Sequence, residues 1–218
     1  MTDFAAARLN MVESQIRTNK VTDPRLIEAF EAVPRERFVT DAQRGVAYID
    51  EDLEIAPGRY LMEPMVLARL LQAAAPRPGD MALVIGCGAG YSTAILARLV
   101  QTVVGLESDR GLMDRANRTL NALDVDNAVV VEGPLTAGYQ KQAPYDVILF
   151  AGAVAEVPQV VKRQLADGGR LVAVVVDDSG IGRGTLIQRA GESFSARTLF
   201  DAATPLLPGF AREAGFVF

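Results

Sequence analysis

Apolar runs and segments of helix-like periodicity alternate from residue 82 to residue 176. The run at 82–85, Ala-Leu-Val-Ile, has no polar residue and predicts a strand buried on both faces. A segment with helical periodicity follows from Tyr91, and the alternation continues to position 176. It predicts a doubly wound, mostly parallel, Rossmann-like α/β sheet, with strands at 82–85, 102–106, 128–132, 145–151 and 170–176 and helices at 91–100, 109–123 and 157–165.

The N-terminal part of the chain has helical periodicity without intervening strands. Apolar positions recur every three or four residues over 3–19, and Asp23-Pro24 is typical of a helix cap followed by proline at the first helical position. A third helix is expected from Glu63-Pro64 to the proline at 76. The mixed segment at 35–60 is expected to be irregular.

The pattern after position 176 differs again. Two strand-like segments at 185–190 and 195–201 have no helix between them, so we expect a C-terminal antiparallel hairpin. A length of 218 residues fits one domain. We divide it into a helical N-terminal cap at 1–78 and an α/β core at 79–218.

A glycine-rich turn joins the first buried strand to its helix. Gly86, Gly88 and Gly90 allow positive φ and close approach of a ligand to the backbone. The next strand ends in Glu107, about 20 residues after Gly86, where a carboxylate accepts the hydrogen bonds of a ribose diol in βαβ nucleotide sites. The bulky Tyr91 replaces the third small residue of a dinucleotide fingerprint. The spacing therefore indicates an S-adenosylmethionine site.

Composition excludes several classes of chemistry. The net charge is −5, so a nucleic-acid partner is not expected. No run approaches the roughly 20 apolar residues of a membrane helix, and the N-terminus does not resemble a signal peptide, so a cytoplasmic location is expected. The chain has one cysteine and no histidine, which leaves no soft-ligand set for a metal and no imidazole base.

Several motifs together resemble the protein-L-isoaspartate O-methyltransferase family, over about residues 9 to 176. This resemblance implies a class I methyltransferase fold and methyl transfer from S-adenosylmethionine to an isoaspartyl carboxylate of a protein or peptide, a step in protein repair. The motifs are Met11 to Ile16, Val33 to Val39, Ala47-Tyr48 with Asp50, Gly58 to Pro64, the glycine loop, Ala143 to Leu149, Val157-Pro158 and Gln164 to Val172.

Three departures from the family pattern fall on the implied site. The family serine after the glycine at 58 is replaced by Met62, whose thioether cannot donate a hydrogen bond, with Leu61 and Glu63 beside it. The family's acid before the glycine loop is Val84 here, and its aspartate after the glycine at 133 is Pro134. No catalytic residue can therefore be assigned. The candidate cofactor residues are Gly86, Cys87, Gly88, Gly90, Glu107, Ser108, Gly133, Pro134 and Leu135.

The departures leave three functions open. The first is an isoaspartyl carboxyl methyltransferase. The second is a methyltransferase that binds the same cofactor and uses a different acceptor. The third is a non-catalytic relative that retains the fold, since all three substitutions fall on the site while the fold motifs remain.

Overall fold

The structure is a computed structural model that describes residues 3 to 212. Within these residues a seven-stranded sheet has the order β5-β4-β3-β6-β7-β8-β9, and β1 and β2 form a separate hairpin. The strands are β1 Leu53–Ala56, β2 Arg59–Leu61, β3 Met81–Ile85, β4 Thr102–Glu107, β5 Ala128–Glu132, β6 Tyr145–Val154, β7 Leu165–Val176, β8 Gly182–Ala190 and β9 Ser193–Asp201.

Strands β3 to β7 are parallel, and β8 and β9 are antiparallel to their neighbours. In β3, the residues from Ala82 to Ile85 are all buried, which explains the purely apolar run. The strand order reverses between β3 and β6, so the carboxyl ends of these strands form the switch point at which ligands bind in such sheets. The predicted doubly wound sheet and C-terminal hairpin are confirmed.

Most helices begin at the capping signals in the sequence. Asp23 accepts a hydrogen bond from the amide of Arg25, and Asp109 accepts one from the amide of Leu112. The predicted helix at 3–19 is α1 extended by a π turn at Val12–Ile16 and a 3₁₀ turn at Arg17–Asn19. The helices are α1 Phe4–Met11, α2 Pro24–Ala32, α3 Pro64–Ala74, α4 Tyr91–Ala97, α5 Arg110–Asn121 and α6 Gln159–Lys162.

The segment at 35–60 is more regular than predicted. It contains two 3₁₀ helices, Arg35–Arg37 and Asp41–Val46, and then β1, which pairs with β2 through a turn at Gly58 with φ +66°. Buried and more exposed residues alternate along β1, but an alternation over only four residues does not distinguish a strand from a loop. The expectation of an irregular segment is therefore wrong for this hairpin.

The predicted helix at 157–165 is also too long. Helix α6 has only four residues, because Leu165 already pairs with Tyr145 as the first residue of β7. Its apolar spacing reflects the buried positions Val157 and Val161 on either side of the helix start. Short apolar repeats of this kind do not separate helix from strand.

The N-terminal helices pack on the sheet through an aromatic cluster. The ring of Tyr91, at the start of α4, is fully buried and lies edge-on to Phe38 at 5.4 Å and to Phe30 at 6.3 Å between centroids. Tyr91 thus links the first 40 residues to the core, which accounts for a bulky residue directly after the glycine turn. Over residues 3–212, none of the helices has the length and apolar character to cross a membrane.

Candidate functional site

The glycine turn and Glu107 meet at the carboxyl edge of the sheet. The amide of Gly86 donates to the carbonyl of Leu106 at 2.9 Å, and the amide of Gly133 donates to the carbonyl of Glu107 at 3.0 Å. These bonds connect the ends of β3, β4 and β5. Gly86, Glu107 and Gly133 therefore converge at this edge of the sheet.

The three glycines have the backbone conformation for which glycine is required. Their φ angles are +72° at Gly86, +56° at Gly88 and +98° at Gly90. A Cβ on Gly90 would lie 3.1 Å from the Cβ of Ala116, so the turn also packs closely on α5. Since residues 86–90 are all buried, the protein's own side chains cover the turn.

Glu107 is completely buried, and donors of this chain already occupy its carboxylate. Its Oε2 accepts from the amide of Gly88 at 2.7 Å and from the guanidinium of Arg59 at 2.5 Å. Its Oε1 accepts from the amides of Ser108 at 2.8 Å and Asp109 at 3.2 Å. A carboxylate has about four lone-pair sites. In this arrangement Glu107 has no acceptor position left for a ribose diol.

Two apolar side chains fill the space above the turn. A Cβ on Gly86 would lie 2.5 Å from Cδ2 of Leu207, and a Cβ on Gly88 would lie 2.9 Å from Cδ1 of Ile55. Leu207 also approaches Gly152 at the end of β6, where a Cβ would lie 2.7 Å from its Cδ2. The space that the glycines leave free is therefore occupied by Ile55 of β1 and by Leu207.

The arrangement as it stands does not accommodate S-adenosylmethionine. The glycine cradle holds Leu207 and Ile55, and the ribose acceptor is paired with Arg59. Cys87 is buried, and burial, with the nearby Glu107 charge, raises the pKa of its thiol, as expected for a packing residue. Among the other candidate cofactor residues, Ser108 and Pro134 are exposed and Leu135 is buried in the second core cluster.

Met62 lies directly after the hairpin and is buried. The backbone carbonyl of Met62 accepts a hydrogen bond from the fully buried guanidinium of Arg35 at 2.9 Å, and the Nε of Arg35 donates to the carbonyl of Ala47 at 2.7 Å. The same guanidinium stacks on Tyr91, 5.0 Å from the ring centroid, and burial lowers its pKa. Arg35 therefore fixes the segment around Met62 against the glycine turn.

Glu63 lies in an acidic environment. Burial raises its pKa to about 7, with a further contribution from the negative charges of Asp52 and Asp50, while Arg35 acts in the opposite direction. The carboxylate of Asp52 accepts from the amide of Glu63 at 3.0 Å and from the hydroxyl of Thr204 at 3.0 Å. Asp52 thereby connects the segment around Met62 to the residues that lead into Leu207.

Comparison with known proteins identifies the family. Residues 7–199 match the family model described as protein-L-isoaspartate(D-aspartate) O-methyltransferase. The chain belongs to the protein-L-isoaspartate O-methyltransferase family. A relative of this name from Methylorubrum extorquens is 37% identical over 95% of this chain and 91% of its own length, and one from Rhodopseudomonas palustris is 38% identical over 84% and 74%. Members of the family are S-adenosylmethionine-dependent methyltransferases.

Solved structures agree with the fold. A protein-L-isoaspartate O-methyltransferase superposes with a TM-score of 0.82 at 25% identity, covering 93% of this chain and 66% of that one. A Plasmodium falciparum protein, described as a putative family member in complex with S-adenosyl-L-homocysteine, has a TM-score of 0.78 at 19% identity, covering 95% and 99%. The class I methyltransferase fold predicted from the motifs is therefore confirmed.

The departures from the methyltransferase motifs can be located in the fold. Val84 lies inside β3 and is completely buried, and Pro134 is exposed after β5. Met62 is held by its backbone carbonyl, so its side chain is not required for that contact. None of the three side chains supplies the hydrogen-bonding group that the family pattern has at its position.

Sequence reasoning missed the residues that close this site. Arg59 and Leu207 are not among the candidate cofactor residues named from the sequence, and Arg35 is included there only as part of the motif Val33 to Val39. The structure buries Arg35 completely, and its Nε and Nη2 donate to two backbone carbonyls. Arg59 directly follows Gly58, in the motif Gly58 to Pro64 that the family resemblance places at the site. That position is the sequence feature that indicates a role for Arg59 there.

Proposed function

We propose that this chain is a carboxyl methyltransferase of the isoaspartyl type, which acts on damaged aspartyl and asparaginyl sites of proteins with S-adenosylmethionine as methyl donor. The supporting observation is the position of the β1–β2 hairpin. Ile55 and Arg59 of this hairpin reach the glycine turn, and the segment implied to contact the acceptor, Leu61 to Pro64, begins at the last residue of the hairpin. An acceptor held by that segment would lie beside the predicted cofactor edge.

The proposal requires the cleft to open. In the present arrangement Leu207 and Ile55 fill the glycine turn and Arg59 occupies Glu107, so the cofactor binds only once these side chains have moved. Gly86, Gly88, Gly90 and Glu107 are proposed as cofactor residues of the opened cleft. The division into a cap at 1–78 and a core at 79–218, and a cytoplasmic location, remain predictions of the same proposal.

The test is methyl transfer to a matched pair of peptides. One peptide contains a single isoaspartyl residue and the other contains aspartate at the same position, and base-labile methyl ester is measured with labelled cofactor. We expect ester on the isoaspartyl peptide only. The variant E107Q removes the proposed ribose acceptor charge and is expected to lower the yield. Absence of ester with folded protein at millimolar cofactor would refute the proposal.

A second candidate function is supported by the Arg59–Glu107 pair. A non-catalytic relative would have no need to keep the ribose acceptor available, and this pair satisfies that acceptor internally. Such a protein would also tolerate Met62, Val84 and Pro134. It is distinguished from the first candidate by the same peptide experiment, since it would produce no ester at any cofactor concentration.

A further inference from the structure

The ion pair between Arg59 and Glu107 is buried at the carboxyl edge of the sheet, where the cofactor is predicted to bind. The side chain of Arg59 is 5% exposed and that of Glu107 is 0% exposed, with 2.5 Å between Nη2 and Oε2. Two charges taken out of water are retained only when they are paired. The other close donors to this carboxylate are backbone amides, so a ligand hydroxyl that binds Glu107 must displace Arg59.

A second element closes the cleft from the C-terminal side. After β9, the segment Thr204–Phe210 runs along the end of β6 and bonds to its backbone. The amide of Ala153 donates to Pro205 at 2.9 Å, the amide of Leu207 donates to Ala153 at 2.8 Å, and the amide of Ala155 donates to Phe210 at 3.1 Å. These bonds place Leu207 directly against Gly86 and Gly152.

The segment is also held at both ends by side chains. The hydroxyl of Thr204 donates to Asp52, which in turn accepts the amide of Glu63. The ring of Phe210 packs edge-on against Phe150 at 5.5 Å between centroids. The segment is therefore ordered by specific contacts, and one of them joins it to the residues around Met62.

We propose that Arg59 and the segment Thr204–Phe210 form an internal plug that occupies the cofactor cleft and competes with the cofactor for Glu107 and the glycine turn. Opening the cleft requires Arg59 to leave Glu107 and Leu207 to leave Gly86. The coupling through Asp52 means that movement of the segment also changes the surroundings of Glu63, beside the proposed acceptor position. This inference rests on the proposed function, since it takes the cleft to be a cofactor site.

The test is calorimetric titration with S-adenosyl-L-homocysteine, which binds without transferring a methyl group. Wild type is compared with R59Q, which replaces the guanidinium by a neutral amide, and with L207A, which removes the apolar part of the plug. The matched control is R170Q. Arg170 forms an equally short buried pair with Asp80, 2.5 Å apart, at the opposite end of the strands. Thermal unfolding by circular dichroism verifies that each variant is folded.

We expect R59Q and L207A each to bind at least about tenfold more tightly than wild type, and R170Q to bind within about threefold of wild type. Equal affinity of wild type and both plug variants would overturn the proposal, and so would equal tightening by R170Q. If R59Q does not fold, the affinity of L207A relative to wild type decides whether the proposal holds. Because the titration needs no acceptor, tighter binding by the variants without any ester in the peptide experiment would support the plug and reject the proposed function.

Discussion

Arg35 is the position at which one substitution tests the link between the N-terminal segment and the core. Its guanidinium donates to the carbonyls of Ala47 and Met62 and stacks on Tyr91. Replacement by lysine keeps the charge and the aliphatic stem. A single ammonium is a point donor and does not reproduce the planar fork that reaches both carbonyls. The variant R35K therefore loses at least one hydrogen bond and leaves a buried carbonyl unpaired.

The magnitude follows from these contacts. A hydrogen bond to a charged group contributes about 1.5–3 kcal/mol, and an unpaired buried acceptor has a cost of similar size. We expect R35K to lower the free energy of unfolding by about 2–3 kcal/mol. For a chain of this length each kcal/mol lowers Tm by about 2–4 °C, which predicts a decrease of about 4–12 °C.

The assay is urea unfolding followed by circular dichroism, together with a thermal scan. The control is R37K, the same substitution two residues away at an exposed side chain, for which a change within about 0.5 kcal/mol is expected. Equal unfolding midpoints for R35K and R37K would refute the reasoning, because they would show that the buried fork contributes nothing beyond a charge.

Three further predictions concern stability. R170Q leaves Asp80 buried without its partner, so a decrease of about 3–5 kcal/mol is expected in urea unfolding, and an unchanged midpoint would contradict it. Since the pKa of Glu63 is raised from 4.5 to about 7 in the folded state, the protein loses stability as pH rises from about 4.5 to about 7, and the full loss is present above that pH. The variant E63Q should therefore raise the free energy of unfolding, relative to wild type, more at pH 8.5 than at pH 5.5. The difference should be at most about 1 kcal/mol, because this side chain is half exposed. An effect of E63Q that does not change with pH would exclude this cause. Asp109→Ala removes the N-cap of α5 and should decrease stability by about 1 kcal/mol, against no change for an Asp126→Ala control.

The parts of the fold that were predicted correctly depend on local patterns. The strand at Ala128–Glu132 has the predicted bounds, because an apolar run between turn residues is sufficient to define it. Asp23 and Asp109 cap helices for the same local reason. The β1–β2 hairpin was missed because strands of four and three residues are too short to show a period.

Only the part of the site that follows from local sequence spacing could be predicted. Spacing placed Glu107 at the end of the second core strand, and the structure has it there. Its partner Arg59 is 48 residues away, and Leu207 lies beyond the α/β core motifs, so no local pattern connects either of them to the glycine turn. Tertiary packing decides which charged group pairs with a buried carboxylate. No local pattern in a single sequence predicts that pairing.

The central claim, a methyltransferase cleft closed by its own chain, is tested most directly by hydrogen exchange with and without S-adenosyl-L-homocysteine at millimolar concentration. The reporters are the amides of Ala153, Ala155 and Leu207, whose hydrogen bonds hold the plug on β6. The account predicts that the ligand makes these amides exchange faster, while amides between β3 and β4 remain protected. Binding that leaves the three amides unchanged or slows their exchange would contradict the closed cleft, and no change at any amide would contradict the proposed cofactor site.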